Sequence, residues 1–134
     1  MSFFGSFQPD VFPLTTTSIV AVFFIASVSF DGFTVTLFAL AELMRQNGTQ
    51  LAVVTTANRK NSRELLAAFG YDTLFSVWVT QESVQRHKPA PDAYLQAMAL
   101  AGAEPADCVV FEDSEIGVQA GKSAGCTVFR IEQF

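Results

Sequence analysis

The sequence predicts a three-layer α/β domain with a mainly parallel sheet of about five strands, and three observations carry that reading. Short apolar runs rich in Val, Ile and Phe alternate with longer segments whose apolar residues recur at helical spacing, the pattern of strand–helix–strand units. Several runs are apolar almost throughout, as strands buried on both faces of a parallel sheet are. The 134 residues suffice for one core and not for two.

The elements follow in order. Residues 1–17 carry Gly5, Pro9, Pro13 and Thr15-Thr16-Thr17 among scattered phenylalanines and read as an irregular N-terminal arm, leaving 18–134 for the α/β core. Ile19 to Val28 is apolar apart from Ser27 and suits a doubly buried strand. Leu37, Leu40, Ala41 and Met44 lie on one helical face, and Asn47-Gly48 ends that helix. Leu51-Ala52-Val53-Val54 is a short strand with Thr55-Thr56-Ala57-Asn58 as its exit. Asn61 and Glu64 have capping-box spacing, so a helix is expected to open at Asn61 and to stop at Gly70. Leu74 to Thr80 reads as a strand, and Pro91-Asp92 start a helix that runs to about Leu100 and stops at Gly102. Cys108 to Phe111 is a strand and Ser114 an N-cap for a helix over 115–123. Gly125 stops that helix, and Cys126 to Ile131 is the last strand.

Composition narrows the function. The net charge is −5 with only eight Lys plus Arg, so nucleic acid, which needs clustered cations, is excluded as a partner. The two cysteines, Cys108 and Cys126, show no metal-binding spacing and read as reduced core thiols, which points to the cytoplasm. The apolar run Ser18–Phe30 has 13 residues, whereas a membrane-spanning helix needs about 20. No Lys or Arg precedes it, unlike the start of a signal peptide. Nine of the 14 phenylalanines lie between Met1 and Ala41, a bias that would also fit self-association or membrane-surface contact through the N-terminal region.

Three polar groups are expected beyond the carboxyl ends of strands, where open parallel sheets bind ligands. Thr55 and Thr56 end one strand just before a helix, so a hydroxyl and backbone N–H groups are at hand for a phosphate oxygen. Lys88 lies in His87-Lys88-Pro89-Ala90-Pro91, where two prolines stiffen the turn and place the ammonium for a phosphoryl group; the plainer role is that of a solvated loop lysine. Glu112-Asp113 leave the apolar Val109-Val110-Phe111 as an acidic pair. A hard cation such as Mg²⁺ would offset their repulsion and lost hydration; the alternative is a pair that caps the next helix with Ser114. Gly117 in that helix's first turn would admit a close approach.

Together these stretches resemble the haloacid dehalogenase-like (HAD-like) hydrolase superfamily, in particular its β-phosphoglucomutase-like and sugar-phosphate phosphatase branch. The resemblance is strongest over 37–131, with LAVVTTAN, HKPAPDAY and VVFEDSEIGVQAGKSAG as its second, third and fourth motifs. It implies a Rossmann-like fold and Mg²⁺-dependent phosphoryl transfer, with hydrolysis of a small phosphate ester such as a sugar phosphate. Thr55, aided by Thr56, would bind the phosphoryl group, and Lys88 would bridge it to the nucleophile. Asp113 would bind Mg²⁺ with Glu112 supporting it. The family's first motif, Asp-x-Asp-Gly-Thr, is degenerate. The nearest stretch is Ser29-Phe30-Asp31-Gly32-Phe33-Thr34, in which Asp31 matches the catalytic and metal-binding second aspartate while Ser29 stands where the nucleophile belongs. Only 23 residues separate Asp31 from Thr55, too few for a cap domain. Two arrangements remain open: Ile19–Val28 is the central strand of a capless domain, or residues 1–35 are unrelated to the family fold. Ser29 also leaves an alternative function, a catalytically impaired relative that binds phosphate or Mg²⁺ without turnover.

Overall fold

A computed structural model describes residues 20–23 and 32–131. Five strands form one parallel sheet: β1 (Val20–Phe23), β2 (Gln50–Val54), β3 (Val77–Val79), β4 (Cys108–Glu112) and β5 (Thr127–Arg130). Their spatial order is β3-β2-β1-β4-β5. The helices are α1 (Gly32–Gln46), α2 (Arg59–Ala68), α3 (Asp92–Ala101) and α4 (Glu115–Ser123). The predicted α/β class with a parallel sheet is the one observed.

Part of the Ile19–Val28 run thus occupies the middle of the sheet. Val20 to Phe23 pair with Gln50 to Val53 on one side and with Cys108 to Phe111 on the other. The expected arm over 1–17 lies outside the described residues, as do Ser29 and Asp31.

The strand period of two divides the core between the two faces of the sheet. In β2, Leu51 and Val53 pack with Phe38 and Ala41 of α1, Leu66 of α2, and Leu74, Phe75 and Trp78. Ala52 and Val54 face the other way and join Val77, Val79, Cys108 and Val110 under Ala93, Tyr94, Ala97 and Met98 of α3 and Ala120 of α4. Both cysteines are free and buried on this second face. No helix among the described residues is long and apolar enough to cross a membrane.

Several boundaries differ from the sequence expectation, and two of the differences have a clear local cause. Helix α2 begins at Arg59 rather than Asn61, because Asn58 is the cap: its side chain accepts from the Asn61 N–H at 2.8 Å. The Leu74–Thr80 run yields only the strand Val77–Val79. Leu74 closes a turn onto Tyr71, its N–H bonding that carbonyl at 3.1 Å, and Leu74 and Phe75 fill the core beside Phe38 and Trp78. A short apolar run signals burial, and pairing is decided elsewhere. Gly48, Gly70, Gly102 and Gly125 all take positive φ; Gly102 is the αL C-cap of α3, as its position in the sequence implies.

Candidate active site

Among the described residues, the candidate groups Thr55, Thr56, Lys88, Glu112 and Asp113 gather at the carboxyl edge of the sheet. Thr55 follows β2 directly and is buried; its N–H bonds the Val79 carbonyl at 3.0 Å, and its hydroxyl accepts from the Ala57 N–H at 3.1 Å. Thr56 is exposed in the bend that follows. The loop after β3 is tied to this one: Gln81 N–H bonds the Ala57 carbonyl at 2.9 Å, and the Glu82 carboxylate accepts from the Arg59 N–H at 3.0 and 3.1 Å. A carboxylate there meets the first free N–H of α2 and the positive end of its dipole.

Alternation along β4 explains where Glu112 goes. Cys108 and Val110 face the α3–α4 layer, and Glu112 continues that face at the strand's end. Its carboxylate is fully buried, so it must be paired and hydrogen-bonded or be very costly. Five donors meet it. Oε2 accepts from Lys88 Nζ at 2.9 Å and from the Tyr94 hydroxyl at 2.6 Å. Oε1 accepts from the N–H groups of Asp113 and Ser114 at 3.1 and 3.2 Å and from the Ser114 hydroxyl at 3.1 Å. The same Ser114 oxygen accepts from Gly117 N–H at 3.1 Å and so caps α4.

Lys88 reaches this carboxylate from the proline-flanked turn, with 2% of its side chain exposed against 0% for Glu112. The turn is closed by Ala90 N–H on the His87 carbonyl at 3.0 Å, and the Lys88-Pro89 peptide is cis. The ammonium also donates to the Val54 carbonyl at 3.2 Å, one residue before Thr55. It therefore spans the ends of β2 and β4, the two neighbours of β1. His87 itself is exposed.

The electrostatics follow from burial. Desolvation lowers the Lys88 pKa, opposed by the charges of Glu112 and Asp113. Tyr94 is pushed well above the usual phenol range by burial and by the Glu112 carboxylate, so its hydroxyl stays a donor. Burial first, then Glu112, raises the pKa of Asp113, with Lys88 opposing. Asp113 Oδ1 is buried and has no hydrogen-bond partner among the described residues. An unpartnered carboxylate oxygen beside an ammonium–carboxylate pair is a donor suited to a hard cation.

Lys88 and the Glu112-Asp113 pair, 24 positions apart in sequence, are thus brought together next to the Thr55 loop. The two carboxylates differ: Glu112 is committed to five donors, whereas Asp113 keeps Oδ1 without a hydrogen-bond partner among the described residues. No group of three or more His, Cys, Asp or Glu side chains suited to a metal occurs among the described residues, which do not include Asp31. Sequence reasoning passed over Tyr94 and the Val54 carbonyl. Tyr94 shares a helical face with Ala97 and Met98, and a buried tyrosine on such a face requires a partner for its hydroxyl. That signal was present, but it did not identify the partner.

Known proteins are similar to this chain in sequence and in fold. The sequence model of the family described as haloacid dehalogenase-like hydrolase matches residues 29–131. Fructose-1-phosphate phosphatase YqaB of Escherichia coli is 40% identical over 75 residues, covering 56% of this chain and 40% of that protein. Hexitol phosphatase A of the same organism is 39% identical over 93 residues, covering 69% of this chain and 43% of that protein. The crystal structure of CbbY from Rhodobacter sphaeroides in complex with phosphate superposes with a TM-score of 0.70 at 32% identity, covering 73% of this chain and 45% of that one. The chain thus matches less than half the length of these relatives.

Proposed function

Because this chain belongs to the haloacid dehalogenase-like hydrolase family, we propose that it carries out Mg²⁺-dependent phosphoryl transfer, as a phosphatase acting on a small phosphate ester such as a sugar phosphate. The observation that carries the reading is the buried Lys88–Glu112 pair with the unpartnered Asp113 oxygen beside it, next to the Thr55 loop. The sugar-phosphate and hexitol-phosphate activities in the names of the relatives support the substrate class.

Each residue has a distinct role in this reading. Thr55 and the backbone of Thr56 hold the phosphoryl oxygens at the entrance to α2. Lys88 offsets negative charge between the phosphoryl group and the nucleophile. Asp113 and Asp31 would hold Mg²⁺, which supplies further charge neutralisation on the phosphoryl group. Glu112 keeps Lys88 and the 113–114 backbone in place. Asp31 would also exchange the proton with the leaving group or the attacking water.

One observation favours a second reading. Ser29 stands where the resemblance implies an aspartate nucleophile, and a serine hydroxyl is weak without a base beside it. A chain of this kind would bind phosphate and Mg²⁺ without turning an ester over.

Two assays on the full chain decide between the readings. Hydrolysis of an aryl phosphate that requires Mg²⁺ and disappears in Lys88→Ala supports the enzyme. Calorimetric binding of vanadate that is lost in Lys88→Ala and weakened in Thr55→Val, with no turnover, supports the binding protein. Anion binding unchanged in both variants removes the phosphate site.

A further inference from the structure

We propose that Tyr94 is a positioning residue of this site: its hydroxyl fixes the Glu112 carboxylate so that Lys88 is held at the phosphoryl position. The inference rests on the reading of Lys88 as a phosphate-binding group, and the test below keeps the two separable.

The geometry is specific. Tyr94 OH and Lys88 Nζ share a single acceptor, Glu112 Oε2, at 2.6 and 2.9 Å. The ammonium also lies 5.0 Å from the centroid of the Tyr94 ring, so the same side chain touches both members of the ion pair. Glu112 Oε1 is occupied by the 113–114 backbone and the Ser114 hydroxyl. With one oxygen tied to the α4 entrance, the tyrosine sets the orientation of the other.

The packing makes the arrangement rigid. Tyr94 is among the largest fully buried side chains and sits in the core face of α3 with Ala97 and Met98. The carboxylate also lies against Gly117, where any Cβ would overlap the Glu112 side chain. The same carboxylate therefore contacts both a tyrosine and a glycine. Glu112 Oε2 can satisfy two donors only while both are present. Removing the hydroxyl leaves Lys88 as its sole side-chain donor, which draws the ammonium toward the carboxylate and away from the Thr55 loop.

The discriminating variant is Tyr94→Phe, which keeps the ring and its packing and removes only the hydroxyl. Two measurements on the full chain are needed. The first is the ¹⁵N–¹H signal of the Lys88 ammonium, whose protons exchange slowly when hydrogen-bonded and shielded from water. In Tyr94→Phe this signal is expected to shift and broaden; an unchanged signal in the folded variant overturns the proposal. The second is calorimetric binding of inorganic phosphate. Tyr94→Phe is expected to weaken it by about tenfold, the scale of one hydrogen bond to a charged group. The double variant Tyr94→Phe/Lys88→Ala is expected to bind no more weakly than Lys88→Ala alone. Additive losses would mean that Tyr94 acts independently of Lys88 and would also overturn the proposal. If the wild type binds no phosphate, the functional reading of Lys88 falls, and the ammonium signal still decides whether Tyr94 positions it.

Discussion

Glu112 and Gly117 approach each other so closely at the start of α4 that a methyl group on the glycine would occupy the space of the glutamate carboxylate. The glutamate cannot swing aside cheaply, because five donors hold it. The glycine is required here by space rather than by backbone angle.

Gly117→Ala is therefore expected to destabilise the fold despite alanine's better helix propensity. Overpacking of this kind costs about 1–3 kcal/mol, enough to outweigh a propensity gain of about 1 kcal/mol. Urea denaturation measures the difference. A variant as stable as the wild type would show that the carboxylate moves freely, and with it the Lys88 ion pair.

Asp113→Asn should separate metal binding from stability. Its carboxyl pKa is raised by burial and by Glu112, so the folded state holds its proton more tightly than the unfolded state does. The stability contributed by that proton is complete below the ordinary value of 3.8 and is lost as pH rises through the elevated folded value. Without metal, Asp113→Asn is expected to melt above the wild type at neutral pH, with the gap closing toward acid pH. With Mg²⁺ the order reverses, because binding measured by calorimetry falls at least about tenfold, while Glu112→Gln loses less. Equal Mg²⁺ affinity in the wild type and Asp113→Asn would remove Asp113 from the metal site.

Glu82 offers a pH dependence of the opposite sign. The Arg59 backbone N–H lowers its carboxyl pKa below the usual 4.5. The stabilisation is present above 4.5 and is lost as pH falls through the lowered folded value. Glu82→Gln is expected to melt below the wild type at neutral pH and to converge with it in acid. Thermal melts across that range test the link between the β3 loop and the entrance of α2; parallel curves would show the carboxylate contributes nothing there.

Ser29→Asp tests the first motif. If Ser29 stands at the nucleophile position, the substitution restores Asp-x-Asp with Asp31, tightens Mg²⁺ binding and raises aryl phosphate turnover above that of the wild type. A folded variant without either gain would mean that residues 29–34 are not a first motif. Turnover already ample in the wild type, and abolished by Asp31→Asn alone, would place the nucleophile elsewhere.

Much of the architecture follows from local pattern. The cap at Ser114, the stop at Gly102 and the helix over 115–123 depend on contacts within a few residues, and each occurs where the sequence places it. The parallel sheet follows from apolar runs joined by helices, and its boundaries shift where tertiary packing intervenes, as at Leu74 and Phe75. Lys88 and Asp113 stand out in the sequence because prolines and paired carboxylates are chemically conspicuous. The position of β1 between β2 and β4 is a matter of long-range pairing, which composition does not encode. The bonds from Tyr94 and Lys88 to Glu112 join residues 18 and 24 positions apart. They exist because strand alternation turns Glu112 inward under α3, where a buried charge must find its donors. The sequence by itself determined which residues carry charge and which segments alternate between apolar strand runs and helices; only the tertiary structure decided where those runs pair, and that one carboxylate would hold the lysine while its neighbour kept an oxygen unpartnered among the described residues.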